Sequence, residues 1–195
     1  MKLGKKIMLN KYHHNNKYDY LNIFEYKRII VIGNNGSGKS YISDKISKIT
    51  GLPVIHLDML YWRPNWEAPS HDEWTSIQKE LVAKDEWIID GNHTPTLELR
   101  FASADLILFL DLNRVECLIS VLKRHSRKLI GAPEHLEYKF DKAFFEFCSR
   151  LWSFSKMRKP IILSLHEKYP DKKFYVIKRR KTVNKLLSIW KNKIS

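Results

Sequence analysis

Apolar residues fall into two kinds of run along this chain. Short unbroken β-branched or aliphatic stretches alternate with segments in which apolar positions recur every three or four residues. The first kind suits strands buried on both faces, the second helices with one face inward. Arg28-Ile29-Ile30-Val31-Ile32, Val54-Ile55-His56-Leu57, Trp87-Ile88-Ile89, Leu106-Ile107-Leu108-Phe109-Leu110 and Phe174-Tyr175-Val176-Ile177 predict five strands. Between the first two, Ile42, Ile46 and Ile49 predict a helix that Gly51 and Pro53 end. Ser70, with Glu73 three residues on, has capping-box spacing and predicts a helix to about Lys84. Another runs from about Arg114 to Leu129, where Gly131-Ala132-Pro133 breaks it. Phe140, Phe144, Phe147 and Leu151 share one helical stripe, read as core packing, and a basic amphipathic helix from about Thr182 closes the chain.

Strands alternating with helices predict an α/β fold with a parallel sheet. Residues 27–195 are expected to form one domain, a size that suits one core. Residues 1–26 are rich in Lys, Asn, Tyr and His without a sustained period, and read as a loosely ordered basic extension. No apolar run approaches the roughly 20 residues that span a bilayer. The N-terminus lacks a signal-peptide h-region, and Cys117 and Cys148 lack disulfide-framework or metal-ligand spacing. A cytoplasmic protein with reduced thiols is the expectation. The net charge of +14 suits polyanionic partners such as nucleic acid, anionic membrane or phosphorylated small molecules; a lysine-rich solvated surface explains it equally well.

The chemistry begins at the end of the first strand. Gly33-Asn34-Asn35-Gly36-Ser37-Gly38-Lys39-Ser40 matches the phosphate-cradling pattern G-x-x-x-x-G-K-[ST], between a predicted strand and a predicted helix. Glycines let successive N–H groups approach an anion, and the helix N-terminus reinforces them. ATP and Mg²⁺ are therefore the expected cofactors. Lys39 would reach the β/γ-phosphate oxygens, the Ser40 hydroxyl would ligate Mg²⁺, and Tyr41 would adjoin the bound nucleotide.

Several residues are candidate partners for that loop. Asp90 ends the third strand, where a carboxylate can support Mg²⁺ through water; an Asp-Gly turn is the plain alternative. Asp111 has a similar place after the fourth strand, although a helix start with Asn113 explains it better. Asp58 follows the second strand, with Tyr61, Trp62 and Trp66 close behind. It could orient an acceptor hydroxyl beside an aromatic wall, or cap a turn over packed rings. Lys123, Arg124, Arg127 and Lys128 cluster; Arg124 and Arg127 share a helix face and could offset phosphoryl charge, or be a solvated basic face. Arg100 is an isolated candidate of the same kind.

In this order the pieces resemble the adenylate-kinase-like P-loop kinases, and most nearly the DNA topology modulation, or FlaR-like, proteins. The P-loop is followed by Leu52-Pro53-Val54-Ile55-His56-Leu57-Asp58 with Tyr61-Trp62 and Trp66, then by Trp87-Ile88-Ile89-Asp90-Gly91-Asn92. Ala104-Asp105, Phe109-Leu110-Asp111-Leu112 and Val121-Leu122-Lys123-Arg124 complete the string, which covers about Lys27 to Trp190. The resemblance implies a three-layer P-loop NTPase fold with a five-stranded parallel sheet ordered 2-3-1-4-5. It also implies an acceptor segment after strand two and a helical lid over about residues 124–158 carrying Arg124 and Arg127. Two features depart from the pattern. Tyr41 stands where a small residue is usual, and Asp90-Gly91-Asn92-His93-Thr94 replaces the Asp-Gly-Phe-Pro-Arg run of adenylate kinases.

Two function classes follow. One is a kinase passing the γ-phosphoryl group of ATP to a small acceptor, a nucleotide or another small molecule, with Lys39, Asp58, Asp90, Arg124 and Arg127 in the chemistry. The other is an ATP-binding regulator of DNA topology that binds nucleic acid with little kinase activity. No helix-turn-helix, zinc-finger or aromatic RNA-binding signature is visible for the second.

Overall fold

The computed structural model describes residues 21–64, 67–125 and 142–193. Its strands are β1 (Arg28–Gly33), β2 (Val54–His56), β3 (Trp87–Asp90), β4 (Leu106–Leu110) and β5 (Lys173–Ile177). They form one parallel sheet in the order β2-β3-β1-β4-β5. The helices are α1 (Lys39–Thr50), α2 (Leu57–Tyr61), α3 (His71–Val82), α4 (Leu97–Ser103), α5 (Arg114–His125), α6 (Lys142–Met157), α7 (Lys159–Lys168) and α8 (Arg180–Asn192).

Alternation along each strand sorts the core into two layers. Ile29 and Val31 of β1 face α1 and α8 through Ile42, Ile46, Leu186 and Trp190. Ile30 and Ile32 face the opposite layer with Leu57, Trp74, Phe101 and Phe154. β1, β3 and β4 are buried along nearly their whole length, so their sequences are continuous apolar runs. A smaller cluster of Leu112, Cys117, Val121 and Leu151 joins α5 to α6, with Phe144 and Phe147 packed against it. The predicted stripe is thus largely core packing; Phe140 lies outside the described residues.

The structure corrects several boundaries. Leu21 and Ile23 are buried in the α1–α8 layer, and the Trp190 Nε1–H donates to the Leu21 carbonyl at 2.8 Å. Burying two such side chains stabilises the fold by roughly 1.5–3 kcal/mol each. Residues 21–26 therefore belong to the domain, not to a loose extension; residues 1–20 lie outside the description. The second strand stops at His56, because Leu57 already begins α2. The last helix begins at Arg180, two residues before the predicted Thr182. Ser70 caps α3 as its spacing implies, its hydroxyl accepting from the Glu73 N–H at 3.2 Å. Among the described residues, no helix is long and apolar enough to cross a membrane. Trp66, Arg127 and the middle of the expected lid also lie outside the described residues.

Candidate active site

The carboxyl ends of β1, β2 and β3 meet at the loop between Gly33 and Lys39, the crevice where open α/β sheets take ligands. Gly36 has φ 75°, and a Cβ there would run into the Cys117 carbonyl and Val121 of α5. Gly38 has φ 92° and turns the chain into α1. Only glycine fits both demands at Gly36, so the loop wraps closely onto α5. Among the described residues, the N–H groups of Gly36, Gly38, Lys39 and Ser40 find no protein acceptor. Such N–H groups at a helix start form an anion cradle.

The two asparagines of the loop differ. Asn34 is buried; its Nδ2 donates to the Leu151 carbonyl at 2.9 Å and its Oδ1 accepts from the Asn35 N–H at 2.8 Å. Asn34 therefore ties the loop to α6, a role its spacing did not announce. The Ser37 hydroxyl is buried without a hydrogen-bond partner among the described residues. Ser40 is exposed at the start of α1, and Tyr41 is exposed with the Lys45 ammonium over its ring.

Lys39 is buried, and its ammonium donates to the Asn34 carbonyl at 3.2 Å. Burial lowers its pKa; Asp58 and Asp90 pull it back up, and Arg124 pushes it down. Three of the other four candidate catalytic residues, Asp58, Asp90 and Arg124, thus act electrostatically on this amine. Asp90 is buried and pairs with Nδ1 of His56 at 2.7 Å, while Nε2 of His56 faces Asp44 at 3.1 Å. The hydrogen bond to Asp90 is the largest cause holding the His56 pKa up, against burial.

Asp58 sits exposed on α2, 3.8 Å from Nε2 of His93. His93 packs between two rings, with centroids 4.0 Å from Tyr61 and 5.0 Å from Trp74. Burial lowers its pKa to about 4, with Asp58 opposing and Arg100 and Arg158 adding to the fall. Trp62 stands edge-on to Tyr61 at 4.9 Å. Tyr61, Trp62, Trp74 and His93 thus form one cluster of rings near Asp58.

Two candidates have other work. Arg100 is fully buried, donating to the carbonyls of Gly91 at 2.7 Å, Asn92 at 2.6 Å and His93 at 3.0 Å. It is the internal brace of the loop after β3 rather than a cation over phosphates, and burial lowers its pKa to about 9. Asp111 accepts from the Lys159 ammonium at 2.6 Å, so it ties β4 to α7. Asn113 supplies the cap instead, its Oδ1 accepting from the Val115 N–H at 2.8 Å.

Sequence reasoning passed over three cations. Arg180 donates through Nη2 to the Gly36 carbonyl at 2.7 Å and to the Ser120 hydroxyl at 2.6 Å, lying along the outside of the loop. Arg158 is half-buried, and burial and nearby Arg150 lower its pKa while Asp58 opposes. Arg150 itself reaches Glu146 only at 3.9 Å. No motif carries these positions, because α6 and α8 come to the loop only through the fold.

No protein-family model matches the chain, and neither does any curated protein sequence. Solved structures do match. Shikimate kinase from Acinetobacter baumannii, in complex with shikimate, superposes with a TM-score of 0.55 at 15% identity, covering 87% of this chain and 96% of that one. Shikimate kinase from Bacteroides thetaiotaomicron superposes at 0.51 and 13% identity, covering 87% and 98%. With the strand order and the loop at Gly33, these likenesses establish an adenylate-kinase-like P-loop fold.

Proposed function

We propose that this protein is an ATP- and Mg²⁺-dependent kinase that phosphorylates a small acceptor. The observation that carries the reading is the buried Lys39 ammonium beside the Gly33–Ser40 cradle, donating to the Asn34 carbonyl at 3.2 Å, with Asp58, Asp90 and Arg124 contributing to the field at that amine. That set combines a cation for the β/γ-phosphates, a carboxylate on the acceptor side and a cation on the lid side. Phosphoryl transfer needs little more than such positioning and charge compensation. Asp58 would orient the acceptor hydroxyl beside Tyr61, Trp74 and His93, and Arg124, with Arg127, would offset charge on the transferred group.

The oxygen donors suit Mg²⁺. The Ser40 hydroxyl makes no protein hydrogen bond, and only one oxygen of Asp90 is engaged, by His56, among the described residues. A Mg²⁺ ion bound with a nucleotide is held largely by phosphates and water and needs few protein ligands. Ser40 would hold the ion directly and Asp90 through water; the ion would supply charge neutralisation at the phosphates.

The motif string shared with FlaR-like proteins and the likeness of fold to shikimate kinases support the reading. Its test is ADP release screened over nucleoside monophosphates, nucleosides and sugar acids, with Lys39→Ala as control. An acceptor-dependent rate that Lys39→Ala abolishes is the expected result, and unchanged turnover in Lys39→Ala overturns it.

A second reading, an ATP-binding regulator that contacts nucleic acid, is favoured by the exposed Arg179, Lys181, Lys191 and Lys193 on and beside α8 together with the +14 charge. Duplex DNA binding across a salt series discriminates, since phosphate contacts are strongest at low salt.

A further inference from the structure

His56 links Asp90, one candidate Mg²⁺-supporting residue, to the helix whose first turn holds Ser40, the other. Ser40 and Asp44 are one turn apart on α1, hence on the same helix face. Oδ1 of Asp44 lies 3.1 Å from Nε2 of His56, and Nδ1 of His56 lies 2.7 Å from Oδ2 of Asp90. His56 and Asp90 are also register partners at the ends of β2 and β3. The imidazole therefore spans from the P-loop helix to the floor of the site, between strands that the sheet already aligns.

A buried carboxylate with one fixed oxygen has one orientation. Asp90 is 2% exposed, and His56 provides its hydrogen bond among the described residues, at Oδ2. With that oxygen held by His56 of β2, Oδ1 makes no hydrogen bond among the described residues. Groups that orient a metal-supporting carboxylate commonly govern affinity for the ion without touching it.

We propose that His56 is a positioning residue: anchored by Asp44, it fixes the Asp90 carboxylate relative to Ser40 and so sets how tightly the site takes a Mg²⁺–nucleotide. This rests on the kinase reading of the P-loop and Asp90 given above. Nothing in it requires His56 to touch nucleotide, metal or acceptor.

The test is equilibrium binding of a non-hydrolysable ATP analogue by calorimetry, in Mg²⁺ and in EDTA, for wild type, His56→Phe, His56→Asn and Asp44→Ala. His56→Phe keeps a ring but removes both hydrogen bonds, whereas the Asn amide can still donate to Asp90. His56→Phe is expected to weaken binding about tenfold or more in Mg²⁺ and to leave binding in EDTA unchanged. His56→Asn should recover most of the loss. Asp44→Ala, at an exposed position, should lose about threefold, again only with Mg²⁺. Wild-type affinity in both His56→Phe and Asp44→Ala overturns the proposal. So does an equal loss with and without Mg²⁺, which would make His56 a structural support of the pocket. If His56→Phe does not fold, His56→Asn and Asp44→Ala decide the matter. A wild-type protein whose nucleotide affinity ignores Mg²⁺ would remove the metal-dependent reading itself, a different failure from the first two.

Discussion

Asn92 and Gly33 exchange two hydrogen bonds: the Asn92 Oδ1 accepts from the Gly33 N–H at 3.1 Å, and its Nδ2 donates to the Gly33 carbonyl at 2.7 Å. The backbone pairing of β1 with β3 ends at Val31 and Asp90. One side chain thus continues the ladder to the residue that opens the P-loop. Only a primary amide of this length offers a donor and an acceptor in that geometry.

Asn92→Asp is therefore expected to be more damaging than its size suggests. It turns the donor into an acceptor facing the Gly33 carbonyl, at a position only 7% exposed. A loss of about 2–3 kcal/mol in denaturant unfolding is expected, with weaker nucleotide binding because the loop's first residue is released.

Lys39→Met separates activity from stability. The ammonium is buried with one carbonyl at 3.2 Å, and burial is the largest influence on its pKa. A methionine of similar length removes a buried charge, so the melting temperature should hold or rise by a few degrees. Acceptor-dependent ADP release should fall at least about a hundredfold. A large drop in melting temperature would contradict this account of the lysine.

Arg100→Lys should unfold more easily by about 2–4 kcal/mol, measured by chemical denaturation. One ammonium cannot reproduce the guanidinium fork that reaches three successive carbonyls. The loop of Gly91 (φ 127°) and His93 (φ 29°) would then lose its brace.

His93 predicts a pH dependence with a definite sign. Its pKa in the folded protein is about 4, against 6.5 ordinarily, so the folded state favours the neutral ring. The associated stability is fully present above pH 6.5, falls as the pH drops from 6.5 to about 4, and is then lost. The total is on the order of 3 kcal/mol. His93→Asn removes the titration and tolerates positive φ. Its unfolding free energy should fall less steeply over that interval, whatever its baseline; an unchanged slope would exclude His93 as the source.

Legibility in the sequence followed burial and length. The strand runs were readable because β1, β3 and β4 are buried on both faces. The capping spacing at Ser70 and Glu73 was readable because a cap is a local hydrogen bond. The five-residue α2 and seven-residue α4 are too short to show a helical period and went unread. The sheet order came from a resemblance to known kinases rather than from any residue pattern.

The Gly33–Ser40 loop, its setting between strand and helix, and Asp90 at the end of β3 were all determined by the sequence alone, since each depends on neighbours a few residues away. Tertiary structure decided which charges face that loop. Arg100 and Arg180 are alike on paper, yet one is buried under the carbonyls of Gly91, Asn92 and His93 and the other lies beside Gly36. His56 looks like an ordinary strand residue until the β2–β3 register brings it against Asp90 and α1 brings Asp44 to its far side. The physical reason is that a side chain's chemistry is set by solvent access and partners, and those come from segments tens of residues apart.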